Sequence, residues 1–301
     1  MSKLVRIFPI HWRDYWELCK PRVVGLMLIT TWVGMLLASP PDVFPWQALL
    51  FGTIGIGCCA SAGAVINHLV ERHIDIHMRR TASRPIASGR VSPLQGMRFA
   101  LTLGSIGLCV LIFFVNLITA WLTLFSLIGY ALIYTVFLKR MTPQNIVIGG
   151  AAGAAPPLLG WTAVTGQIDP LGLLLVLIIF TWTPPHFWAL AIYREADYAK
   201  AKLPMLPVTH GIHFTKVCIL LYIVLLILST LFPYLISSCG VTYLVTALGL
   251  GLGFLFYGIK LYRSTDPKVA LNTFAYSIVY LMALFIGLLI DHYLPYFLLY
   301  H

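Results

Sequence analysis

The feature that most constrains this chain is a series of apolar runs, each about as long as a bilayer is thick. A helix needs roughly 20 predominantly apolar residues to cross the hydrocarbon core of a membrane. Nine such runs follow one another along the 301 residues. We predict nine transmembrane helices at Val23–Ser39, Trp46–Asn67, Phe99–Asn116, Thr119–Leu138, Ile146–Val164, Leu171–Ile192, Phe214–Ile236, Val241–Leu261 and Asn272–Ile290.

Composition supports this interpretation. Hydrophobic residues make up 59% of the chain and charged residues 10%, against roughly 45–50% and 25% in soluble globular proteins. These values exclude a soluble enzyme, a disordered chain and a small disulfide-rich domain. We therefore expect an all-α polytopic membrane protein. We expect residues 1–301 to form a single membrane-embedded domain, with residues 1–22 as a cytoplasmic N-terminal segment.

The basic residues predict the orientation, because lysine and arginine in short loops stay in the cytoplasm. With nine spans, all 20 lysines and arginines fall in the N-terminal segment, in the second, fourth, sixth and eighth connections, or at the span ends next to those connections. The N-terminus is therefore predicted to be cytoplasmic and the C-terminus periplasmic, in the cell inner membrane. This topology accounts for the net charge of +10 without a nucleic-acid partner. The basic face could also hold anionic lipid or a phosphorylated substrate.

The long second connection is the first candidate site. Asn67, Glu71 and Asp75 are four residues apart, so they share one face if the second span continues as a helix. Amide and carboxylate oxygens suit a hard ion such as Mg²⁺ that is shared with substrate phosphates. Guanidinium groups, which match phosphate oxygens, follow at Arg79, Arg80 and Arg84. The alternative is a solvated helix end with salt bridges.

The sixth connection repeats this mixture of charges. Glu195 and Asp197 lie among Arg194, Lys200 and Lys202, on the same predicted side of the membrane as the first cluster. Two acidic and basic clusters from separate parts of the chain could hold one diphosphate through metal ions between them. A charged connector between helices is the alternative.

Lys139, Asn145 and His186 are three further candidates. Asn145 lies at the cytoplasmic entry of the fifth predicted span, near Lys139, which favours a role at the same rim. His186 lies near the cytoplasmic end of the sixth predicted span. Histidine is rare within spans and usually faces a cavity, and binding haem iron is one use of such a residue. Packing inside the bundle is the alternative for His186.

These motifs resemble a known family. The pattern NxxxDxxxD followed by RRTxxRP is similar to that of the UbiA superfamily of intramembrane prenyltransferases. KPRV (Lys20–Val23), NIVIGGAAGAAPPLLGW (Asn145–Trp161), TPPHFWALAIYR (Thr183–Arg194) and DYAKAKLPMLPV (Asp197–Val208) look like its protohaem IX farnesyltransferase, or haem O synthase, branch. The resemblance runs from Lys20 to about Val208, and the last three spans agree only in number and length.

The resemblance implies transfer of a farnesyl group from farnesyl diphosphate to a vinyl group of haem B, giving haem O, with Mg²⁺ assisting departure of the diphosphate. Haem is then a substrate, and haem A synthase or an assembling terminal oxidase is an implied partner. The implied metal ligands and catalytic residues are Asn67, Glu71, Asp75 and Asp197. The implied diphosphate ligands are Arg79, Arg80, Arg84, Lys139, Asn145, Arg194 and Lys202, and the haem candidate is His186.

The chain departs from the family pattern at three positions. Glu71 stands where the first motif has Asp, His73 stands where this branch often has Asp, and the second DxxxD is reduced to Asp197 followed by Ala201. These departures leave the number of metal ions open. Two other functions also stay open, namely a quinone-pathway prenyltransferase of the same superfamily and a transporter.

Overall fold

A computed structural model describes residues 11–76, 81–131, 142–200 and 203–300 of the chain. Helices and short connections account for all of these residues, and none of them lies in a strand. The helices are α1 (Trp12–Leu18), α2 (Pro21–Ala38), α3 (Thr53–Asp75), α4 (Pro93–Phe114), α5 (Leu117–Ile128), α6 (Asn145–Gly153), α7 (Pro156–Thr165), α8 (Pro170–Tyr193), α9 (Glu195–Lys200), α10 (Leu206–Leu235), α11 (Val241–Arg263) and α12 (Pro267–Tyr300). A π-helical turn, Ala48–Gly52, leads into α3.

Eight of the predicted spans are confirmed as helices long and apolar enough to cross a membrane. Three of the helical segments that carry these spans depart from a regular α-helix. The π-helical turn leads into α3, the break between α6 and α7 divides the fifth span, and α10 is kinked at Gly211 (φ 82°, ψ 161°). The predicted fourth span, Thr119–Leu138, is helical as far as Ala131. The rest of that span falls outside the described residues, so a ninth span stays a prediction.

The core of the bundle is largest in its C-terminal part. There α8, α10, α11 and α12 enclose fully buried side chains, including Trp188, Tyr243, Phe254 and Tyr280. A smaller apolar cluster joins α1, α3, α4 and the loop between α3 and α4, with Leu18 at its centre. This cluster packs α1 and the loop after α3 against α3, and these segments carry the candidate site.

Helices α2 and α7 pack closely because two glycines lie where they cross. A Cβ atom added at Gly160 would overlap the carbonyl oxygen of Thr31, and one added at Gly34 would overlap that of Pro157. Small residues of this kind let helix backbones approach closely in membranes. The small-residue stretch before Trp161 therefore serves helix packing at this crossing.

Gly160→Ala should lower the stability of the folded protein by about 3 kcal/mol, the upper part of the range for overpacked sites, because the added methyl group meets rigid backbone. Gly153→Ala is the control, since a Cβ atom there would contact nothing within 4 Å. Thermal unfolding of the detergent-purified variants measures both effects. Equal melting temperatures for the two variants would contradict the close crossing.

The charged groups separate to the two ends of the bundle. At the end that we call the acidic end, the carboxylate of Asp291 accepts hydrogen bonds from the backbone N–H groups of Gly240 (2.6 Å) and Tyr243 (3.0 Å), which caps the N-terminus of α11. Asp169 accepts one from Trp161 Nε1 (2.7 Å) at the start of α8. Residues at or near the span ends on this side also form hydrogen bonds with one another, through Gln47–Phe114, Asn116–Thr162 and His292–Ser39.

The opposite end, which we call the basic end, carries the N-terminal segment and the predicted even-numbered connections. Lys20 lies immediately before α2, and Lys216 Nζ on α10 donates to the carbonyl oxygen of Ser264 at the end of α11 (2.6 Å). Because all candidate residues except His186 belong to these segments or adjoin them, their shared end of the bundle is the place to look for a site.

Candidate functional site

The end of α3 carries the first motif. Asn67, Glu71 and Asp75 lie on one face of this helix, and only 3%, 7% and 2% of their respective surfaces are exposed. The helical spacing predicted from the sequence is confirmed. The alternative of a solvated helix end does not describe these side chains, because buried carboxylates need a charged or hydrogen-bonding partner.

Arg84 supplies that partner for the carboxylates. Its Nη1 atom donates to both carboxylate oxygens of Asp75, at 2.7 and 2.8 Å, and lies 3.5 Å from Glu71 Oε2. Thr81 Oγ donates to the backbone carbonyl oxygen of Asp75 (3.1 Å), which holds the loop against the helix end. Arg84 was predicted from the sequence as a diphosphate ligand, and in the structure it neutralises the carboxylates through one nitrogen.

Lys20 is a member of the site that the sequence interpretation did not assign. Its backbone is in the left-handed region (φ 50°, ψ 57°) directly before Pro21, and its Nζ atom donates to Asn67 Oδ1. A non-glycine residue in this region is strained, and such strain clusters at functional sites. The signal available in the sequence was a lysine at the start of the first span, inside the KPRV motif.

Helix α1 and the loop after α3 are fastened together by Arg90. Its guanidinium group binds Asp14 and Glu17 of α1, the latter at 2.9 Å, and donates to the carbonyl oxygen of Ser83 (2.6 Å). Leu18 is fully buried beside α3. This contact fixes Lys20, which follows α1, and Arg84, which lies on the loop, relative to each other.

Cys19 lies beside Lys20 without adding charge to the site. Burial raises the pKa of its thiol above the usual value. The thiol is therefore protonated at neutral pH, and the positive charge of Lys20 faces the amide of Asn67 and not a thiolate.

Asn145 lies at the start of α6 and is 1% exposed. Its Nδ2 atom donates to the carbonyl oxygen of Thr142 (2.8 Å), and its Oδ1 atom is buried without a hydrogen-bond partner. The unpartnered atom is an acceptor, so in this orientation it could bind a cation or a hydrogen-bond donor. It could not bind a diphosphate oxygen directly.

The second acidic and basic cluster is more exposed. Asp197 is exposed on α9 and Arg194 is half-buried at the end of α8. No ion pair or side-chain hydrogen bond joins either of them to another residue in the described part of the chain. The structure therefore does not bring Asp197 into contact with the carboxylates of α3. Four predicted ligands, Arg79, Arg80, Lys139 and Lys202, lie outside the described residues.

His186 is packed between aromatic rings in the C-terminal part of the bundle. Its ring lies 4.2 Å from that of Trp182 and 4.5 Å from that of Phe274, measured between centroids. Its Nδ1 atom is 2.6 Å from Ser277 Oγ, and this hydroxyl donates its single proton to the carbonyl oxygen of Phe274 (2.6 Å). His186 Nδ1 must then be the donor to Ser277, which leaves a lone pair on Nε2.

The oxygens on α3 suit a divalent cation by their chemistry. Within the described ranges no group of three or more His, Cys, Asp or Glu side chains is arranged to hold a metal ion. The carboxylates of Glu71 and Asp75 and the amide oxygen of Asn67 are too few to fill all the coordination positions of a metal ion. They suit Mg²⁺, which usually keeps several water ligands and is shared with substrate phosphates. Lys20 and Arg84 face these oxygens.

The fold and site define a class: a polytopic helical membrane protein with buried carboxylates and cations at one end of its bundle. A model of the UbiA prenyltransferase family matches residues 27–298. The chain therefore belongs to the UbiA prenyltransferase family, which confirms the superfamily resemblance.

The more specific resemblance is also confirmed. The chain is 61% identical over 285 residues to the protoheme IX farnesyltransferase of Teredinibacter turnerae, covering 95% of this chain and 91% of that protein. It is 62% identical over 283 residues to protoheme IX farnesyltransferase 1 of Pseudomonas fluorescens, covering 94% of each.

Solved structures share the fold at low sequence identity. A digeranylgeranylglyceryl phosphate synthase has a TM-score of 0.80 at 18% identity, with 94% of this chain and 98% of that chain covered. A UbiA homolog from Archaeoglobus fulgidus, bound to GPP and Mg²⁺, has a TM-score of 0.63 at 14% identity, with 91% and 99% covered.

Proposed function

We propose that the chain transfers a farnesyl group from farnesyl diphosphate to a vinyl group of protohaem IX, giving haem O. The observation that carries the proposal is the identity of about 60% to protoheme IX farnesyltransferases along nearly the whole chain. The buried group of carboxylates and cations at the basic end supports it, because an allylic diphosphate needs both a metal site and cationic donors for its head group.

The head group would bind at the basic end of the bundle. Mg²⁺ would be held by oxygens of Asn67, Glu71, Asp75 and Asp197 and would polarise the leaving diphosphate when bound. Lys20, whose Nζ atom lies beside Asn67, would join the diphosphate ligands. The ligands proposed from the sequence are Arg79, Arg80, Arg84, Lys139, Arg194 and Lys202, together with Asn145, which could donate to a diphosphate oxygen only through its second Nδ2 N–H bond.

The protein side chains then act by positioning and charge. Arg84 and Lys20 lie where negative charge grows on the diphosphate as the allylic C–O bond breaks, so their attraction is stronger in the transition state than before it. The farnesyl tail would lie between apolar helices, which exclude water from the allylic cation. Electrons of a haem vinyl group form the new C–C bond, and water adds to the other vinyl carbon and loses a proton.

His186 is the proposed haem contact. A histidine binds haem iron through the lone pair of a ring nitrogen, and here Nε2 has one available. The hydrogen bond of Nδ1 to Ser277 would orient the ring, as hydrogen-bond partners of metal-binding histidines do. Trp182 and Phe274 would add apolar contacts near a porphyrin.

Incubating membranes that contain the protein with haem B, farnesyl diphosphate and Mg²⁺ tests the proposal. We expect a farnesylated, hydroxylated haem in the mass spectrum. Supplying 4-hydroxybenzoate in place of haem tests the quinone-pathway alternative, and a prenylated benzoate without any haem product would replace the proposal. Transport of substrate without either product would favour the transporter.

We further propose that the single domain of residues 1–301 spans the inner membrane nine times, with residues 1–22 and the basic end in the cytoplasm and the C-terminus in the periplasm. Haem A synthase or an assembling terminal oxidase would receive the product. The distribution of lysine and arginine supports this orientation.

Cysteine labelling checks the orientation. In a variant lacking the six native cysteines, a cysteine at the exposed position Ser88 should react with a membrane-impermeant maleimide only after the membrane is opened. A cysteine at Ser238, exposed in the connection between α10 and α11, is the control and should react in intact cells. The reverse pattern would invert the topology.

Substitutions at Glu71 test whether this residue binds the proposed Mg²⁺. We expect Glu71→Asp to keep most of the activity, because the carboxylate stays and water can bridge a small gap to Mg²⁺. Glu71→Gln keeps the size and removes the charge. The Mg²⁺ concentration for half-maximal rate should then rise by about tenfold or more, since even second-shell changes at metal sites cost roughly that much.

Rates measured across a Mg²⁺ titration compare the three proteins. The same Mg²⁺ dependence in Glu71→Gln and the parent chain would mean that position 71 is not at the metal.

A further inference from the structure

His68 is a buried polar side chain that the proposed mechanism does not use. It follows Asn67 on α3 and is 3% exposed. Neither of its ring nitrogens has a hydrogen-bond partner within the part of the chain that the structure describes. Buried polar groups are nearly always hydrogen-bonded, so an exception calls for an explanation such as a bound ligand.

Helix geometry places His68 beside the site. Positions 68, 71 and 75 are related as i, i+3 and i+7, which puts His68 on the face of α3 that carries Glu71 and Asp75. Lys20 binds the adjacent residue, Asn67, and Arg84 binds Asp75 on the same face of α3. His68 is therefore part of the same group of charged side chains.

The surroundings indicate which ligand would satisfy the ring. Neutral imidazole has one N–H group and imidazolium has two, so His68 can donate a hydrogen bond in either form. The nearby carboxylates of Glu71 and Asp75 both lie beside Arg84 and neither accepts a hydrogen bond from His68, while Asn67 Oδ1 is engaged by Lys20. An anion attracted by Lys20 and Arg84 would bring a free acceptor oxygen to this position.

We propose that His68 donates a hydrogen bond to an anionic oxygen of a bound substrate. The inference rests on the proposed function, which supplies two sources of such oxygens, the diphosphate and the haem carboxylates. His68 would then be a substrate-binding residue whose hydrogen bond is made only when the substrate is present.

Binding to the detergent-purified full chain tests this proposal by calorimetry, with inorganic diphosphate plus Mg²⁺ in one arm and haem B in the other. We expect His68→Leu to weaken binding in one arm by about tenfold or more, as expected for a lost hydrogen bond to a charged group. His68→Gln, which keeps an N–H donor, should bind within about threefold of the parent chain. The affected arm identifies the source of the oxygen.

Stability distinguishes binding from a structural role. Replacing an unpartnered buried polar group with an apolar one of similar size is neutral or stabilising, so ligand-free His68→Leu should melt at the same temperature as the parent chain or higher. His73→Leu is the matched control, because His73 is exposed on the same helix and should leave binding in both arms unchanged.

The outcomes separate this inference from the proposed function. Parent-like binding of both probes to His68→Leu, or a loss of binding matched by His73→Leu, overturns the role of His68 and leaves the proposed function standing. A lower melting temperature of His68→Leu that His68→Gln also shows assigns the ring to folding and overturns the inference. Failure of the parent chain to bind either probe overturns both.

Discussion

Asp75→Asn should lower turnover by about a hundredfold or more, equivalent to roughly 2.7–4 kcal/mol of transition-state stabilisation. Asp75 is 2% exposed and accepts two hydrogen bonds from Arg84, so its charge acts in a site with little water to screen it. The asparagine keeps the shape of the side chain and removes the charge that would hold Mg²⁺ and orient Arg84.

Steady-state rates with haem B and farnesyl diphosphate measure this effect. Asp266→Asn is the control, since Asp266 is an exposed acid at the same end of the bundle, and its activity should match that of the parent chain. Full activity of Asp75→Asn would mean that the carboxylate serves only to pair with Arg84.

The residues that share one face of α3 could be predicted from the sequence, because their arrangement depends only on local helix geometry. Residues four apart lie on one side of any α-helix, so Asn67, Glu71 and Asp75 needed no tertiary information. The apolar runs were predictable for a similar reason, since bilayer thickness fixes the length of each span. Eight of the nine predicted spans could be compared in full with the described residues and are confirmed.

Lys20 and Arg84 could not be placed in this way, because their positions depend on contacts distant in the sequence. Lys20 reaches Asn67 through a left-handed backbone conformation that follows α1, and α1 is held by Arg90, more than 70 residues further along the chain. The spacing of Arg84 suggested a phosphate ligand, whereas the loop folds it onto Asp75.

Asp197 illustrates the limit of carrying a family pattern to a structure. The resemblance groups it with the carboxylates of α3, yet it is exposed on α9 and no ion pair joins it to another described residue. Only its presence at the basic end follows from the sequence. Whether it reaches a metal depends on a bound substrate that would have to bridge the two clusters, so its role stays a prediction.

Arg84→Met should destabilise the protein by about 3 kcal/mol or more, because it leaves the buried carboxylate of Asp75 without its cation and takes one cation away from Glu71. The side chains of Glu71 and Asp75 are 9% and 4% exposed, and that of Arg84 is 19% exposed. Activity should be lost as well, since the same guanidinium group is the proposed diphosphate donor. Thermal unfolding and turnover of the purified variant measure the two effects separately.

The double variant Arg84→Met/Asp75→Asn separates stability from catalysis. Breaking a buried ion pair is costly because one charge remains unpaired, whereas removing both partners is often close to neutral. We therefore expect the double variant to recover most of the melting temperature that Arg84→Met loses, with Glu71 accounting for the remainder, and to stay inactive. If stability does not recover, Arg84 stabilises the loop through contacts other than Asp75. If activity recovers together with stability, the ion pair is only structural and the head group binds elsewhere.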